Sequence, residues 1–303
     1  MSSQEKIINE RLSFSPLITV LGETASGKTS AAIEIAKRVN GEIICADSRT
    51  IYKKMDIGTA KPTMLEQKKI PHHLINLIEP DEVFSAAKFQ QLAMKCIQEI
   101  HERGRIPILV GGTGLYIDAV LYNFHFGSEA DAVFREQLEQ MNDVELTTLM
   151  NTRNINTGNL NTKNRRHVIR AIERNGEVQN DKILRKNSIV VGISLEREIL
   201  KLRITTRTNK MFEDGLIEET KILFKEYGSD TSAFLTPSYK AISEYINGNL
   251  TLEDTVHRVV QSDLHLAKRQ RTWFKRNKDI EWFDNSDLLI QKAVEFANAF
   301  NYN

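Results

Sequence analysis

A glycine-rich segment of eight residues constrains the fold of this 303-residue chain more than any other feature. Residues 22–29 read GETASGKT, which fits the phosphate-binding pattern G-x-x-x-x-G-K-[ST]. The apolar, β-branched residues 16–21 precede it, and a helical pattern over residues 30–40 follows, with Gly41 as the expected C-cap. Because strand, loop and helix stand in the order that the motif needs, we predict a diphosphate or triphosphate site.

The loop supplies three kinds of ligand. Its backbone N–H groups form an anion nest, Lys28 adds a point charge, and the Thr29 hydroxyl is placed to ligate Mg²⁺. Glu23 brings a negative charge close to this anion site, so its side chain must point away or weaken binding. The predicted phosphate-binding residues are Gly22, Glu23, Thr24, Ala25, Ser26, Gly27, Lys28 and Thr29.

Further strands alternate with helices along the chain. Residues 42–46 form a short apolar strand that ends at Asp47, and ligands bind at the carboxyl ends of strands in open α/β sheets. A helix over residues 85–103 leads into a strand at 106–110, which ends in the Gly-Gly-Thr-Gly of residues 111–114. The fold class predicted is α/β, with a parallel sheet flanked by helices.

The pattern changes between residues 122 and 186, where polar helices such as 132–141 and 165–174 are joined by Asn-rich connections. We predict an inserted all-helical lobe there, and a core formed by residues 14–121 and 187–285. Beyond the lobe we expect a strand at 188–193, one or two helices over 196–227, a helix at 251–276 and a last strand at 280–283.

Composition narrows the class of protein. The formal net charge of +1 gives no global sign of nucleic-acid binding, so any evidence for such binding must come from local clusters of basic residues. Two cysteines, Cys45 and Cys96, fit buried small side chains in a reducing compartment. The polar N-terminus and the lack of an apolar run of about 20 residues predict a cytoplasmic protein without membrane association.

Several blocks resemble the tRNA dimethylallyltransferases, also called tRNA isopentenyltransferases. Besides the Thr-Ala-Ser interior of the phosphate loop, they are residues 46–48 with Tyr52, MDIGTAKP at 55–62, PHHL at 71–74, GGTGLY at 111–116, the Arg-rich segment 164–173, and AKRQ at 267–270 with TWF at 272–274. Their number and order make the resemblance specific.

This resemblance implies a fold and a reaction. A P-loop core with a helical insert would grip the tRNA anticodon arm and transfer dimethylallyl from dimethylallyl diphosphate to N6 of the adenine 3′ of the anticodon. The loop would then stabilise a leaving diphosphate through Lys28 and a Mg²⁺ on Thr29, rather than hydrolyse ATP. Asp47 would be the base that takes the amine proton, with Thr113 beside it. We expect a monomer.

The resemblance also assigns substrate contacts. Lys240 stands where the family usually has an arginine that helps to bind the diphosphate, and it keeps the charge without the bidentate fork. We expect some phosphate contact from the basic residues of the segment 268–278, with Trp273 and Phe274 docking that helix. The residues matching tRNA contacts are Asp47, Ser48, Arg49, Thr50, Thr113, Arg135, Arg166, His167 and Arg170.

Other interpretations remain at this stage. Asp47 could bind the loop's Mg²⁺ or cap a helix. The chain could be a nucleoside or small-metabolite kinase, or a nucleotide-dependent RNA-binding module. An adenylate isopentenyltransferase is disfavoured, because a free nucleotide needs neither an insert nor a basic C-terminal helix.

Overall fold

The computed structural model describes residues 15–126, 132–156, 161–176 and 183–300. Its strands are β1 (Leu17–Gly22), β2 (Gly41–Ala46), β3 (His72–His73), β4 (Ile106–Gly111), β5 (Ser188–Ile193) and β6 (Glu281–Phe283). They form one sheet in the order β3-β2-β4-β1-β5-β6, and every pairing is parallel. The predicted α/β class is confirmed.

Helices connect these strands. They are α1 (Lys28–Arg38), α2 (Met64–Lys69), α3 (Ala86–Glu102), α4 (Gly114–Leu121), α5 (Ala132–Gln140), α6 (Asp143–Thr152), α7 (Arg165–Glu173), α8 (Arg197–Glu213), α9 (Leu216–Tyr227), α10 (Pro237–Ile246), α11 (Leu252–Phe274) and α12 (Ser286–Asn298), with a 3₁₀ turn at Ser232–Phe234. None of the helices in the described part of the chain is long and apolar enough to cross a bilayer.

The chain divides into two compact units, one formed by residues 1–122 with 184–303 and the other by residues 123–183. The first unit contains the sheet, and its main core packs the fully buried Ile18 and Ile35 between β1 and α1. The second unit contains α5, α6 and α7 around a small apolar core that includes Leu138 and Ile172. Its role in tRNA binding stays a prediction.

Several local predictions change. The helix after the phosphate loop begins at Lys28 and ends at Arg38, so the predicted Gly41 C-cap is wrong. Asn40 instead takes the left-handed conformation, with φ 51°, and Gly41 opens β2. Helices α2, α4, α6, α10 and α12 were not predicted. For α12 the reason is a contact distant in the chain, because its Leu289 is buried in the sheet's core.

Candidate active site

The phosphate loop joins β1 to α1, and glycines at two positions let its backbone take the required conformation. A Cβ added at Gly22 would lie 2.8 Å from the carbonyl oxygen of Ile193, and Gly27 has φ 97°, so both positions need glycine. Ser26 donates its N–H to the Glu23 carbonyl at 3.1 Å, which closes a turn. The loop therefore delivers its last residues to the start of α1, as an anion nest requires.

Lys28 is the cation at the base of this nest. Its Nζ donates to the backbone carbonyl of Glu23 at 3.2 Å. Burial lowers the pKa of Lys28 to about 8, although the nearby Asp47 opposes that shift and Arg207 adds to it. Lys28, at the start of α1, and Asp47, just after the end of β2, thus lie within electrostatic reach of each other.

Glu23 points away from the nest. Its side chain is only 2% exposed, and its carboxylate pairs with the guanidinium of Arg271 through Nε and, at 3.2 Å, through Nη2. Arg271 also donates to the Leu195 carbonyl at 2.7 Å. Of the basic segment expected to meet phosphates, Arg271 is therefore engaged inside the protein.

Asp47 stands on a turn that two strands fix together. Its Oδ1 accepts the N–H of Arg49 at 2.8 Å. The Thr113 hydroxyl accepts the N–H of Ser48 at 3.0 Å, and the Thr113 N–H donates to the Ala46 carbonyl at 3.2 Å. Because Thr113 follows β4 and Ala46 ends β2, these bonds set the position of the Asp47 turn relative to the Gly-Gly-Thr-Gly turn.

A cavity of about 330 Å³ brings the phosphate loop and Asp47 together. Lys28, Thr29, Asp47 and Thr50, all predicted site residues, line it. Three further predicted loop residues, Thr24, Ala25 and Gly27, also line it. The other lining residues come from the strands and their ends, from the segment after Asp47 and from α8; they are Ile43, Cys45, Val110, Gly111, Thr59, Ala60, Lys61, Pro62, Glu66, His72, Arg203 and Arg207.

Arg203 and Arg207 were missed by the sequence analysis. They lie one turn apart on α8, so they share a face. Arg203 donates to the Ser26 carbonyl at 2.9 Å, and Arg207 pairs with Asp263 at 2.7 Å. Two arginines four residues apart in the helical segment 196–227 were the available signal, but the sequence does not say which face of that helix meets the loop.

Helix α11 ties the two loops of the site together. The Gln270 side chain accepts the N–H of Thr24 at 2.7 Å and donates to the Gly112 carbonyl at 3.0 Å. Trp273 donates to the Asp118 carboxylate at 3.2 Å, and its ring fills the space where a Cβ on Gly114 would lie. Phe274 is buried, so the docking predicted for both aromatic residues is observed.

Helix α9 holds the wall segment that contains residues 59–62. The Glu219 carboxylate accepts the N–H groups of Asp56, Ile57 and Gly58 at 2.9, 2.7 and 2.8 Å. Lys61 is buried at its end, where its ammonium donates to the Tyr52 carbonyl and to the Asp56 and Asn76 side chains. The segment is therefore ordered by charge-assisted hydrogen bonds.

Other predicted residues are not among those that line this cavity. Lys240 is exposed on α10 and is not among the lining residues, while Arg49 is exposed and donates to the Ala233 carbonyl at 3.3 Å. In the helical unit, Arg166 and His167 are exposed. Two further arginines there, Arg135 and Arg170, both pair with Glu173.

Comparison with known proteins identifies the family. The IPP transferase family profile matches residues 50–277. The tRNA dimethylallyltransferase of Halalkalibacterium halodurans is 39% identical over 294 residues, which cover 92% of this chain and 94% of that protein. The tRNA dimethylallyltransferase of Bacillus mycoides is 40% identical over 283 residues, covering 88% and 89%.

Solved structures agree. The full-length tRNA isopentenylpyrophosphate transferase of Bacillus halodurans superposes with a TM-score of 0.71 at 37% identity, over 95% of this chain and 100% of that chain. A eukaryotic dimethylallyltransferase acting on tRNA gives a TM-score of 0.79 at 25% identity, over 94% and 79%. The predicted resemblance is confirmed, and this chain belongs to the tRNA dimethylallyltransferase family of IPP transferases.

Proposed function

We propose that this protein transfers the dimethylallyl group of dimethylallyl diphosphate to N6 of the adenine at position 37 of tRNAs that read codons beginning with U. The observation that carries the proposal is the single cavity in which a phosphate loop and its cations face the carboxylate of Asp47. Such a cavity holds a leaving group at one end and a base at the other, as transfer to a weak nucleophile requires.

At the loop end, the donor's diphosphate would meet the loop amides, Lys28 and the two arginines of α8. Breaking the allylic C–O bond leaves its electron pair on the diphosphate, so negative charge grows there in the transition state. Lys28, Arg203 and Arg207 supply fixed positive charge at this end of the cavity. Ionic contacts that strengthen as charge develops accelerate the step rather than merely bind the donor.

At the other end, the adenine amine is a poor nucleophile because its lone pair is delocalised into the purine. Asp47 would take the N6 proton as the new N–C bond forms, while Thr113 and Ser48 hold the turn that carries it. Thr50, buried in the same wall, would contact the extruded base. An adenine that enters this cavity must leave its stack, as in other enzymes that act on bases.

Mg²⁺ fits the oxygen donors at this site. Among the described residues no group of three or more His, Cys, Asp or Glu side chains surrounds a metal-sized space, so protein ligands would be few. The Thr29 hydroxyl lines the cavity beside the loop, and Mg²⁺ commonly binds through one or two protein oxygens plus phosphates. When bound, the ion would neutralise charge on the leaving diphosphate.

The helical unit would bind the anticodon arm. Arg166 and His167 present exposed polar side chains on α7, with Arg170 one turn further along that helix. Arg135 contributes a further positive side chain from α5. Arginine contacts to phosphates position an RNA without reading its sequence, so these residues would set affinity and register. Lys240, exposed on α10, would assist in binding the donor or the RNA backbone.

The test is transfer of radiolabelled dimethylallyl to unmodified tRNA with adenine at position 37, in the presence of Mg²⁺. Wild type should label that adenine, and Asp47→Asn, which keeps the shape but not the basicity, should lose about 100-fold or more in kcat. A tRNA with guanosine at position 37 serves as the acceptor control. Phosphorylation of a small acceptor by ATP, without prenyl transfer to any tRNA, would replace this proposal with a kinase.

A further inference from the structure

The phosphate loop carries a buried negative charge of its own. Glu23 is the second residue of the loop and is only 2% exposed, while the loop's task in the proposed function is to bind a diphosphate. A carboxylate this close to an anion site repels the ligand unless a cation compensates for it. The fold must therefore neutralise this carboxylate or turn it away from the ligand.

Arg271 is the cation that does so. Its guanidinium pairs with both carboxylate oxygens of Glu23 and also donates to the Leu195 carbonyl, so it is held from two sides. The contact joins residues 248 positions apart in the chain. A bidentate arginine–carboxylate pair fixes direction as well as distance, and here it turns Glu23 away from the nest.

The neighbouring residues repeat the connection. Gln270 accepts the N–H of Thr24, so two consecutive residues of α11 hold two consecutive residues of the loop. On the ligand side, Lys28 donates to the backbone carbonyl of Glu23 at 3.2 Å. The backbone position of Glu23, which these contacts with α11 help to fix, thus bears directly on the position of the Lys28 ammonium.

We propose that Arg271 is a positioning residue for diphosphate binding. It neutralises Glu23 and holds the first half of the phosphate loop against α11, so that the ligand meets the Lys28 ammonium and not the Glu23 carboxylate. This inference rests on the proposed function for its ligand. It assigns Arg271 to the donor and not to tRNA phosphate, although the surrounding residues Lys268, Arg269, Lys275 and Arg276 are exposed and basic.

Removal of the Glu23 charge should rescue diphosphate binding in a variant that lacks Arg271. In Arg271→Gln, the unpaired Glu23 carboxylate should turn towards Lys28, and the affinity for inorganic diphosphate should fall at least about tenfold. Removing the second charge as well, in Glu23→Gln with Arg271→Gln, should return affinity to within about threefold of wild type. Glu23→Gln alone should change affinity by less than about threefold.

Isothermal titration with inorganic diphosphate and Mg²⁺ measures this without the transfer reaction, and donor and tRNA KM values follow in the transfer assay. Arg258→Gln, at an exposed arginine nearer the start of α11, is the matched control and should leave diphosphate affinity unchanged. Melting temperatures report folding; if Arg271→Gln does not fold, Arg271→Lys replaces it, with a smaller loss that Glu23→Gln should again relieve.

Two results would overturn the inference. One is an Arg271→Gln variant that binds diphosphate normally but has a raised KM for tRNA, which would make Arg271 an RNA contact. The other is a loss of diphosphate affinity that Glu23→Gln does not relieve. If wild type binds diphosphate but transfers no prenyl group, the proposed function fails while the rescue experiment still decides the role of Arg271.

Discussion

The hydroxyl of Thr113 accepts the backbone N–H of Ser48 at 3.0 Å, across a separation of 65 residues in the chain. Ser48 follows Asp47 directly, and Thr113 lies just beyond the end of β4. A second bond, from the Thr113 N–H to the Ala46 carbonyl, closes the connection from the other side of Asp47. The proposed base therefore lies within a turn that is braced on both flanks by one threonine.

Replacement of Thr113 by valine tests this bracing. Valine keeps the shape but leaves the Ser48 N–H without its acceptor, which costs about 1–3 kcal/mol if that group stays buried. We expect kcat to fall about 10- to 100-fold through displacement of Asp47, with little change in the donor KM. Steady-state kinetics with both substrates measure the split. Thr113→Ser is the control, and its failure to retain most activity would show that the methyl group, not the hydroxyl, matters.

A pH profile tests the state of Lys28. Burial lowers the pKa of Lys28 to about 8 in the free protein, and a bound diphosphate favours the protonated form. Binding then takes up a proton above about pH 8, so donor affinity should decline as the pH rises through that value. The measurement is kcat/KM for the donor between pH 6.5 and about 9.5. The Lys28→Met variant should bind the donor weakly, and its kcat/KM should not decline above about pH 8. An unchanged decline would assign the titration to another group.

Sequence reasoning reached the parts of this site that are local in the chain. The loop, the strand before it and Asp47 at the end of β2 all follow from short patterns, since each depends on adjacent residues. Arg203 and Arg207 could not be assigned in this way, because their role depends on which face of α8 packs towards the loop. The partner of Glu23 is likewise set by folding, since Arg271 lies 248 residues away. Lys240 is a different case, because only the motif match assigns it to the diphosphate; it is exposed on α10, and that assignment stays a prediction.

Glu219 provides a stability test. Its carboxylate accepts three consecutive N–H groups of residues 56–58. A hydrogen bond to a charged group contributes about 1.5–3 kcal/mol to stability. Glu219→Gln should therefore lower the free energy of unfolding by roughly that amount, measured by urea denaturation. Glu218→Gln is the matched control, because Glu218 is exposed and pairs only with Lys221 in the described contacts; it should change stability by less than about 0.5 kcal/mol. Equal effects of the two substitutions would contradict the role of Glu219.

Two adjacent arginines of α7 separate folding from RNA binding in the helical unit. Arg165 pairs with Asp143 and donates to carbonyls at the end of α5, including that of Glu139 at 3.0 Å, whereas Arg166 is exposed. Arg165→Gln should therefore lower the melting temperature. Arg166→Gln should leave it unchanged but weaken tRNA binding and reduce the slope of log affinity against log salt by about 0.7–0.9, the value for one phosphate contact. Filter binding across a range of salt concentrations measures that slope. An Arg166→Gln variant with wild-type affinity and slope would place the anticodon arm elsewhere.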